Sequence, residues 1–382
     1  MSGPLETLSV VDLSRGMAGG LATMLLSDNG ARVIKVEPVG GDPLRVIATS
    51  PVWNRGKKSI MLDLGKPQAK PILSRLLKSA DVLIESWRPG VAARLGIDYL
   101  SLRDEHPRLI YCSLTGYGQT GSERDRRGYD GLVQARVGMQ WTQPGHRPGP
   151  IYMAFAAPTY AGGFMAAHGI LAALHARART GRGQHVDASL RDAAVVMNRW
   201  ASAEHVLTTP QPVGLTTVRM FQCSDGEYLW VHTGARGSAE RLAHALGLAE
   251  SVIGLSSTQT SAMTARETAA LLLQKAEAIL ASRPRSEWMA RLDKADVPNR
   301  PALHAGECFD DEQVQAIGSV VAVDDHELPG PLREVAPPFR FRSAAPSVPG
   351  PAPMVGEHTG EILLELGFSD AEIVGFRRDA VA

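Results

Sequence analysis

Thr159 stands between Pro158 and Tyr160-Ala161-Gly162-Gly163, just ahead of a run of small and apolar residues that reaches Leu174. A hydroxyl there has two uses. It can cap the coming helix, since Thr is a favoured N-cap, or it can face a pocket. No carboxylate stands close by in sequence, because residues 140–170 contain no Asp or Glu. Upstream, Arg127-Gly128-Tyr129-Asp130 offers a cation, a phenol and a carboxylate in a short block. Tyr152 and Tyr160 are further hydrogen-bond donors and weak acids. His168 and His175 fall on one helix face and read as helix histidines, partly exposed, whereas His146 lies in the loop Gly145-His146-Arg147-Pro148 and could reach a pocket. Near the N-terminus, Ser14-Arg15-Gly16-Met17 connects an apolar strand to a helix, and free N–H groups at a helix start favour an anion. Cys112, Cys223 and Cys308 are too widely spaced for a disulfide framework or a zinc site, so no metal is expected.

These residues must be carried by a regular framework. Residues 8–13 read as a buried strand, 18–29 as a helix closed by Gly30, and 32–37 as a second strand, which together make a right-handed βαβ unit. Strands at 59–64, 81–85 and 108–114 alternate with helices at 67–79, 89–95 and 98–105. A long Gly/Ala-rich helix over 160–178, a strand at 184–190 and a helix over 190–207 follow. Such alternation implies an α/β fold, a large open sheet with helices on both faces. Pro210 and Pro212 mark a linker. A hairpin turning at Asp225-Gly226, with helices at 238–247, 264–282 and 286–294, makes a smaller α+β domain. The expected division is 1–210 for the large domain, 211–330 for the small one, and 331–382 for an extended return segment and a C-terminal helix. The chain is 44% hydrophobic and 21% charged over 382 residues, with formal net charge zero. No nucleic-acid or membrane-surface field follows from that balance. No apolar run approaches the roughly 18 residues of a membrane span. A cytoplasmic protein is the expectation.

Several blocks, in order, resemble the family III CoA-transferases, the group of formyl-CoA transferase, carnitine CoA-transferase and α-methylacyl-CoA racemase. They include VVDLSRGMAGG (10–20), DNGARVIKVEPVGGDPLR (28–45), NRGKKSIMLDL (54–64), ADVLIESWRPGVAARLGIDY (80–99), RLIYCSLTGYGQTG (108–121), HARARTGRGQHVDASLRDAA (175–194) and VGEHTGEILLELGFSDAEI (355–373). The resemblance implies an interlocked ring homodimer and coenzyme A on the large domain, the substrate being an acyl-CoA and a small carboxylic acid. It places Ser14, Arg15, Gly16 and Met17 beside the pantetheine, Leu62, Asp63 and Leu64 at the adenine edge, and Arg94 and Arg127 on the CoA phosphates. Two family cations are missing: Pro38 falls where formyl-CoA transferase has an Arg, and Gly65 follows Leu64 where Lys is frequent. Lys35, Lys57, Lys58 and Lys66 could compensate, or could be plain surface charges.

The family's nucleophilic Asp lies ten residues before the helix segment that starts here at Gly169, and that position is Thr159. In the family the aspartate takes the acyl group as a mixed anhydride and then CoA as an aspartyl thioester. Threonine forms only an oxygen ester and has no carbonyl to hold CoA, so that ping-pong route is closed. The racemase pair is absent as well, because its His falls at Tyr129 and its Asp again at Thr159. Three readings follow. The chain is an acyl-CoA transferase with an atypical site built on Thr159, Tyr129 and Asp130. Or it is an isomerase, hydro-lyase or lyase acting on an acyl-CoA. Or it is a non-catalytic subunit paired with an Asp-bearing homologue. Met139, Trp141, Met153 and Phe155 would wall the acyl pocket.

Overall fold

The structure, a computed structural model, describes residues 3–141, 149–198, 218–248, 272–324, 329–339, 341–342 and 348–382. Two compact units divide the chain: Met1–Gln211 with Ala316–Ala382, and Pro212–Gln315.

The first unit is built on a six-stranded parallel sheet, in the order β3-β2-β1-β4-β5-β6. Its strands are β1 Ser9–Asp12, β2 Arg32–Glu37, β3 Lys58–Met61, β4 Val82–Glu85, β5 Ile110–Thr115 and β6 His185–Ser189. The four strands β1, β2, β4 and β5 are buried nearly throughout, as parallel strands covered on both faces must be. One face packs Val11, Ile34, Ile60 and Leu83 under helix α3 (Ala69–Lys78) and the C-terminal helices. The other packs Val10, Val33, Ile84 and Cys112 under α1 (Gly16–Asp28) and the long helix Ala157–Thr180. The last two cross closely: a Cβ on Gly163 would come within 2.8 Å of the Ala18 carbonyl oxygen. Small residues at the crossing are what permit it.

The strands and helices of the sheet fall where the residue pattern puts them, with shifts of a few residues at their ends. Three elements depart from it. The Pro-rich stretch read as extended contains an antiparallel hairpin, Val320–Val323 with Leu332–Val335. Glu334 in that hairpin meets the buried Arg55 guanidinium at 2.7 Å, and Arg55 also pairs with Asp28. A helix at Asp370–Arg378, opened by a Ser369–Glu372 capping box, lies beyond the last helix expected. The helix expected over 190–207 is seen over Leu190–Met197, and its remainder falls outside the described residues.

In the second unit, Val218–Gln222 and Tyr228–His232 form the expected hairpin with Asp225-Gly226 in its loop, and Asn299–Pro301 adds a third strand. Phe221, Leu229, Leu242, Leu280 and Trp288 make its core.

Candidate functional site

Strand β1 has β2 on one side and β4 on the other, so the chain order reverses there. A doubly wound sheet leaves a crevice beyond its carboxyl ends at such a point. A cleft of ≈ 730 Å³ lies at this place. Leu13 and Arg15 leave β1 into it, Glu37 and Pro38 end β2, Leu62 to Gly65 follow β3, and Ser86, Trp87 and Arg88 follow β4. Val91 and Leu95, from the short helix Val91–Leu95, line one wall, and Arg127, Gly128 and Tyr129 line another.

The β1–α1 loop differs from the expected anion nest. Its N–H groups already have partners. Ser14 N–H donates to Asp12 Oδ1 at 2.9 Å, Arg15 N–H to Ser86 Oγ at 2.8 Å, and Gly16 N–H to Asp42 Oδ2 at 2.8 Å. An internal carboxylate thus occupies part of the helix start. What the loop presents to the cleft is the Arg15 side chain, which is exposed.

Below that loop lies a buried charge network. Asp12 accepts from Ser14 Oγ at 2.5 Å, Thr23 Oγ1 at 2.7 Å and Lys57 Nζ at 3.2 Å. Burial alone would raise the Asp12 pKa, but Lys35, Lys57 and the two hydroxyls outweigh it and hold the group at about 2. Burial pushes Lys57 down to about 8, with Asp12 opposing part of the fall. Lys35 Nζ donates to the Ser14 carbonyl at 3.0 Å and faces Asp42 at 3.7 Å. Glu37 is gripped by Arg45 Nε and Nη2, at 2.7 and 2.6 Å, and accepts from Ser59 Oγ.

The four lysines that could have served the cleft are therefore engaged elsewhere. Lys35 and Lys57 are buried, Lys58 pairs with Glu361, and Lys66 donates to the carbonyls of Asp379 and Ala380.

Burial raises the Glu85 carboxyl above the usual range, with the Ser113 hydroxyl and the Trp87 N–H opposing. Glu85 Oε2 accepts that N–H at 2.7 Å and so holds the Trp87 backbone against the cleft.

Tyr129 is exposed at the cleft edge and starts helix α6 (Asp130–Arg136). The next residue, Asp130, reaches the head of the long helix. Its Oδ2 accepts the Thr159 N–H at 2.9 Å and the Thr159 hydroxyl at 2.7 Å, while Oδ1 accepts from Gln134 Nε2 at 2.6 Å. Thr159 is therefore no N-cap. The helix starts at Ala157, Ala156 holds the cap position without a side-chain bond, and Pro158 lies inside the first turn. Proline is tolerated there because its missing N–H has no helical partner to lose. The capping oxygen comes from Asp130 instead, across a long gap in sequence.

Of the expected site residues, Arg15, Leu62, Asp63, Leu64, Arg127 and Tyr129 line the cleft together. Ser14 and Gly16 lie buried beneath it and Met17 follows them in α1, while Arg94 is exposed on the helix whose Val91 and Leu95 line it. Thr159 and Asp130 form a pair next to Tyr129, outside the set of lining residues. Ser86, Trp87 and Arg88 are the additions. Their position directly after a strand, in Ser86-Trp87-Arg88-Pro89-Gly90, was the signal for them.

The proposed acyl wall does not converge: Met139 is core, Met153 is tied through its backbone to Gln134, and Trp141 and Phe155 are exposed. Tyr160 stacks on Phe155 at 4.9 Å and Tyr152 is exposed. His168 and His175 are exposed, and His146 lies outside the described residues.

Gly116 and Gly128 close the base of the loop that carries Arg127. A Cβ on Gly116 would lie 2.4 Å from the Gly128 Cα. Among the described residues no group of His, Cys, Asp and Glu could hold a metal, and no helix is long and apolar enough to cross a membrane.

The family model for CoA-transferase family III matches residues 5–359. The chain belongs to that family. It is 32% identical to the succinate–glutarate CoA-transferase of Agrobacterium fabrum, over 95% of this chain and 96% of that one. It is 30% identical to the α-methylacyl-CoA racemase of Homo sapiens, over 99% and 97% of the two chains. A solved CaiB/BaiF family protein from Brucella suis superposes with a TM-score of 0.82 at 30% identity, covering 96% of this chain and all of that one (100%). Transferase and racemase relatives thus match this family III chain over nearly equal lengths, so the reaction has to be argued from the site.

Proposed function

We propose that this family III protein binds an acyl-CoA thioester in the β1–β4 cleft and exchanges its CoA with a small carboxylic acid. The observation that carries the reading is the cleft itself, at the switch point of the sheet, with Arg15, Arg88 and Arg127 beside the apolar edge of Leu62 and Leu64. Guanidinium groups suit a pyrophosphate, and the apolar edge suits an adenine.

Thr159 excludes the aspartyl route, so the exchange must avoid an enzyme-bound thioester. In the reading we favour, the acceptor carboxylate attacks the donor thioester carbonyl itself. A mixed anhydride of the two acids forms and CoA thiolate leaves. The thiolate then attacks the acceptor's acyl carbon and releases the donor acid. Both substrates are present together, so the kinetics are sequential rather than ping-pong. Thr159, Asp130 and Tyr129 shape and polarise the acyl end of the site.

A second reading rests on the Thr159–Asp130 hydrogen bond. It leaves a carboxylate, held by a hydroxyl and an amide, beside an exposed phenol. That set can move a proton on an acyl-CoA without any acceptor, as an isomerase or hydro-lyase does.

We also propose a cytoplasmic homodimer. Phe164, Met165, Val195, Val196 and Met197 are exposed on the helices Ala157–Thr180 and Leu190–Met197, an apolar surface that a second copy would bury. Pairing with an Asp-bearing homologue is the alternative assembly.

The test is to incubate the purified protein with a panel of acyl-CoAs, with and without free carboxylic acids, and to read the CoA esters by mass spectrometry. A new ester that appears only with its acid establishes transfer. A changed ester without acceptor establishes the second reading. Silence across the panel points to a subunit that needs its partner.

A further inference from the structure

The two rims of the cleft carry opposite charge. Arg15, Arg88 and Arg127 belong to the rim formed by β1, β4 and the Arg127 loop. The β2–β3 rim presents Pro38, Asp63 and Gly65. The cations nearest that rim in sequence are turned to other work. Arg45 gives Nε and Nη2 to Glu37 and Nη1 to the Pro353 carbonyl at 2.9 Å. Lys35 and Lys57 are 1% and 0% exposed at their side chains, inside the network under α1. Lys66 Nζ bonds the Ala380 carbonyl at 3.0 Å as well as that of Asp379.

Coenzyme A carries two kinds of phosphate: the pyrophosphate at the ribose 5′ position and a monoester at the 3′ position. A phosphate monoester bears between one and two negative charges at neutral pH. In doubly wound sheets an acid on the β2 side suits free ribose hydroxyls, and an Arg there is what admits a ribose phosphate. On this rim the acid is present and the Arg position holds Pro38.

We propose that this cleft recognises CoA thioesters through the pyrophosphate and does not require the 3′-phosphate, so that 3′-dephospho-CoA and its esters are ligands as good as CoA. The proposal rests on the reading of the cleft as the CoA site. Arg94 is exposed on the helix Val91–Leu95, beside the arginine rim, and is counted with that rim.

Calorimetric titration of the purified full chain with CoA and with 3′-dephospho-CoA tests it. The expected result is dissociation constants that agree within about threefold, a difference under ~1 kcal/mol. Pro38→Arg should then tighten CoA by about tenfold and leave 3′-dephospho-CoA unchanged, the latter also reporting that the variant is folded. Asp63→Asn, a milder change, should favour CoA in the same direction. Wild-type protein that binds CoA about tenfold or more tightly than the dephospho form overturns the proposal while leaving the CoA site intact. Binding of neither overturns the reading of the cleft together with the proposal. Indifferent wild type with no gain for CoA in either variant overturns the placement of the ribose on the β2–β3 rim.

Discussion

Asp12 and Asp130 make an instructive pair. Both stand close to the start of a helix, and both accept a threonine hydroxyl at 2.7 Å. Asp12 is fully buried, and a lysine ammonium, two hydroxyls and an amide N–H fill its oxygens. Asp130 is half-buried, its hydrogen bonds come from neutral groups, and it adjoins the exposed Tyr129. One carboxylate is closed off as scaffold; the other remains within reach of a ligand. Saturation by charged partners, more than residue type, separates the part of this molecule that supports from the part that can react.

The largest expected effect tests the closed side. Asp12→Ala leaves Lys57 buried without its partner, and should cost about 3–5 kcal/mol in urea denaturation. The pH dependence sharpens the same point. Asp12 sits at about 2 when folded, below its unfolded value of about 3.9. Its contribution is therefore present above pH ~4 and lost as pH falls toward ~2. Lys57 behaves in the opposite sense. Its folded value of about 8 lies below the unfolded value of about 10.4, so the unfolded chain binds more protons between them. Stability from Lys57 should rise with pH across that interval. Comparing the slope of unfolding free energy between pH 8 and 10 in wild type and Lys57→Met isolates this residue, and equal slopes would show that it does not titrate there.

On the open side, activity should move more than stability. Asp130→Ala removes the acceptor for the Thr159 N–H and hydroxyl, for about 1–2 kcal/mol of stability. Turnover of the acyl-CoA should fall on the order of 100-fold. A loss of activity no greater than the loss of folded protein would make Asp130 a helix cap and nothing more. Thr159→Val keeps the N–H bond and removes only the hydroxyl, for about 0.5–1.5 kcal/mol by thermal melting. The smallest change is Lys58→Ala. That ammonium pairs at the surface with Glu361, so stability should shift by less than about 1 kcal/mol and CoA affinity should not change.

How far the sequence discloses this arrangement depends on the range of each interaction. The strands are short, apolar and β-branched, and their alternation with helices states the sheet; these are local signals. The loops that line the cleft could be read too, because they follow strand ends. Lys35 was harder. It stands in Arg32-Val33-Ile34-Lys35-Val36-Glu37, and in a parallel strand covered on both faces even a lysine is interior. Its partner Asp42 and the backbone of Ser14 come from other segments, so the pattern alone could not tell surface charge from buried network. The cap of the long helix failed for the same reason. The sequence offered Thr159 locally, while the acceptor was Asp130. The helix at Asp370–Arg378 was a different kind of miss: Ser369 and Glu372 announce it within four residues, and that signal was legible.

The pinch between Gly116 and Gly128 has a consequence for how such a site can change over time. The chain leaves the end of β5 and returns to almost the same point, so residues 117–127 form a compact loop with touching ends. Doubling the length of a loop of this kind costs only about 0.6 kcal/mol. Insertions or exchanges between the two glycines can therefore relocate Arg127 while the sheet stays undisturbed. The glycines themselves are the fixed points, since any side chain on either would wedge the base apart. In a lineage of related enzymes, this is a segment through which a new ligand preference can be grafted without refolding the protein that carries it.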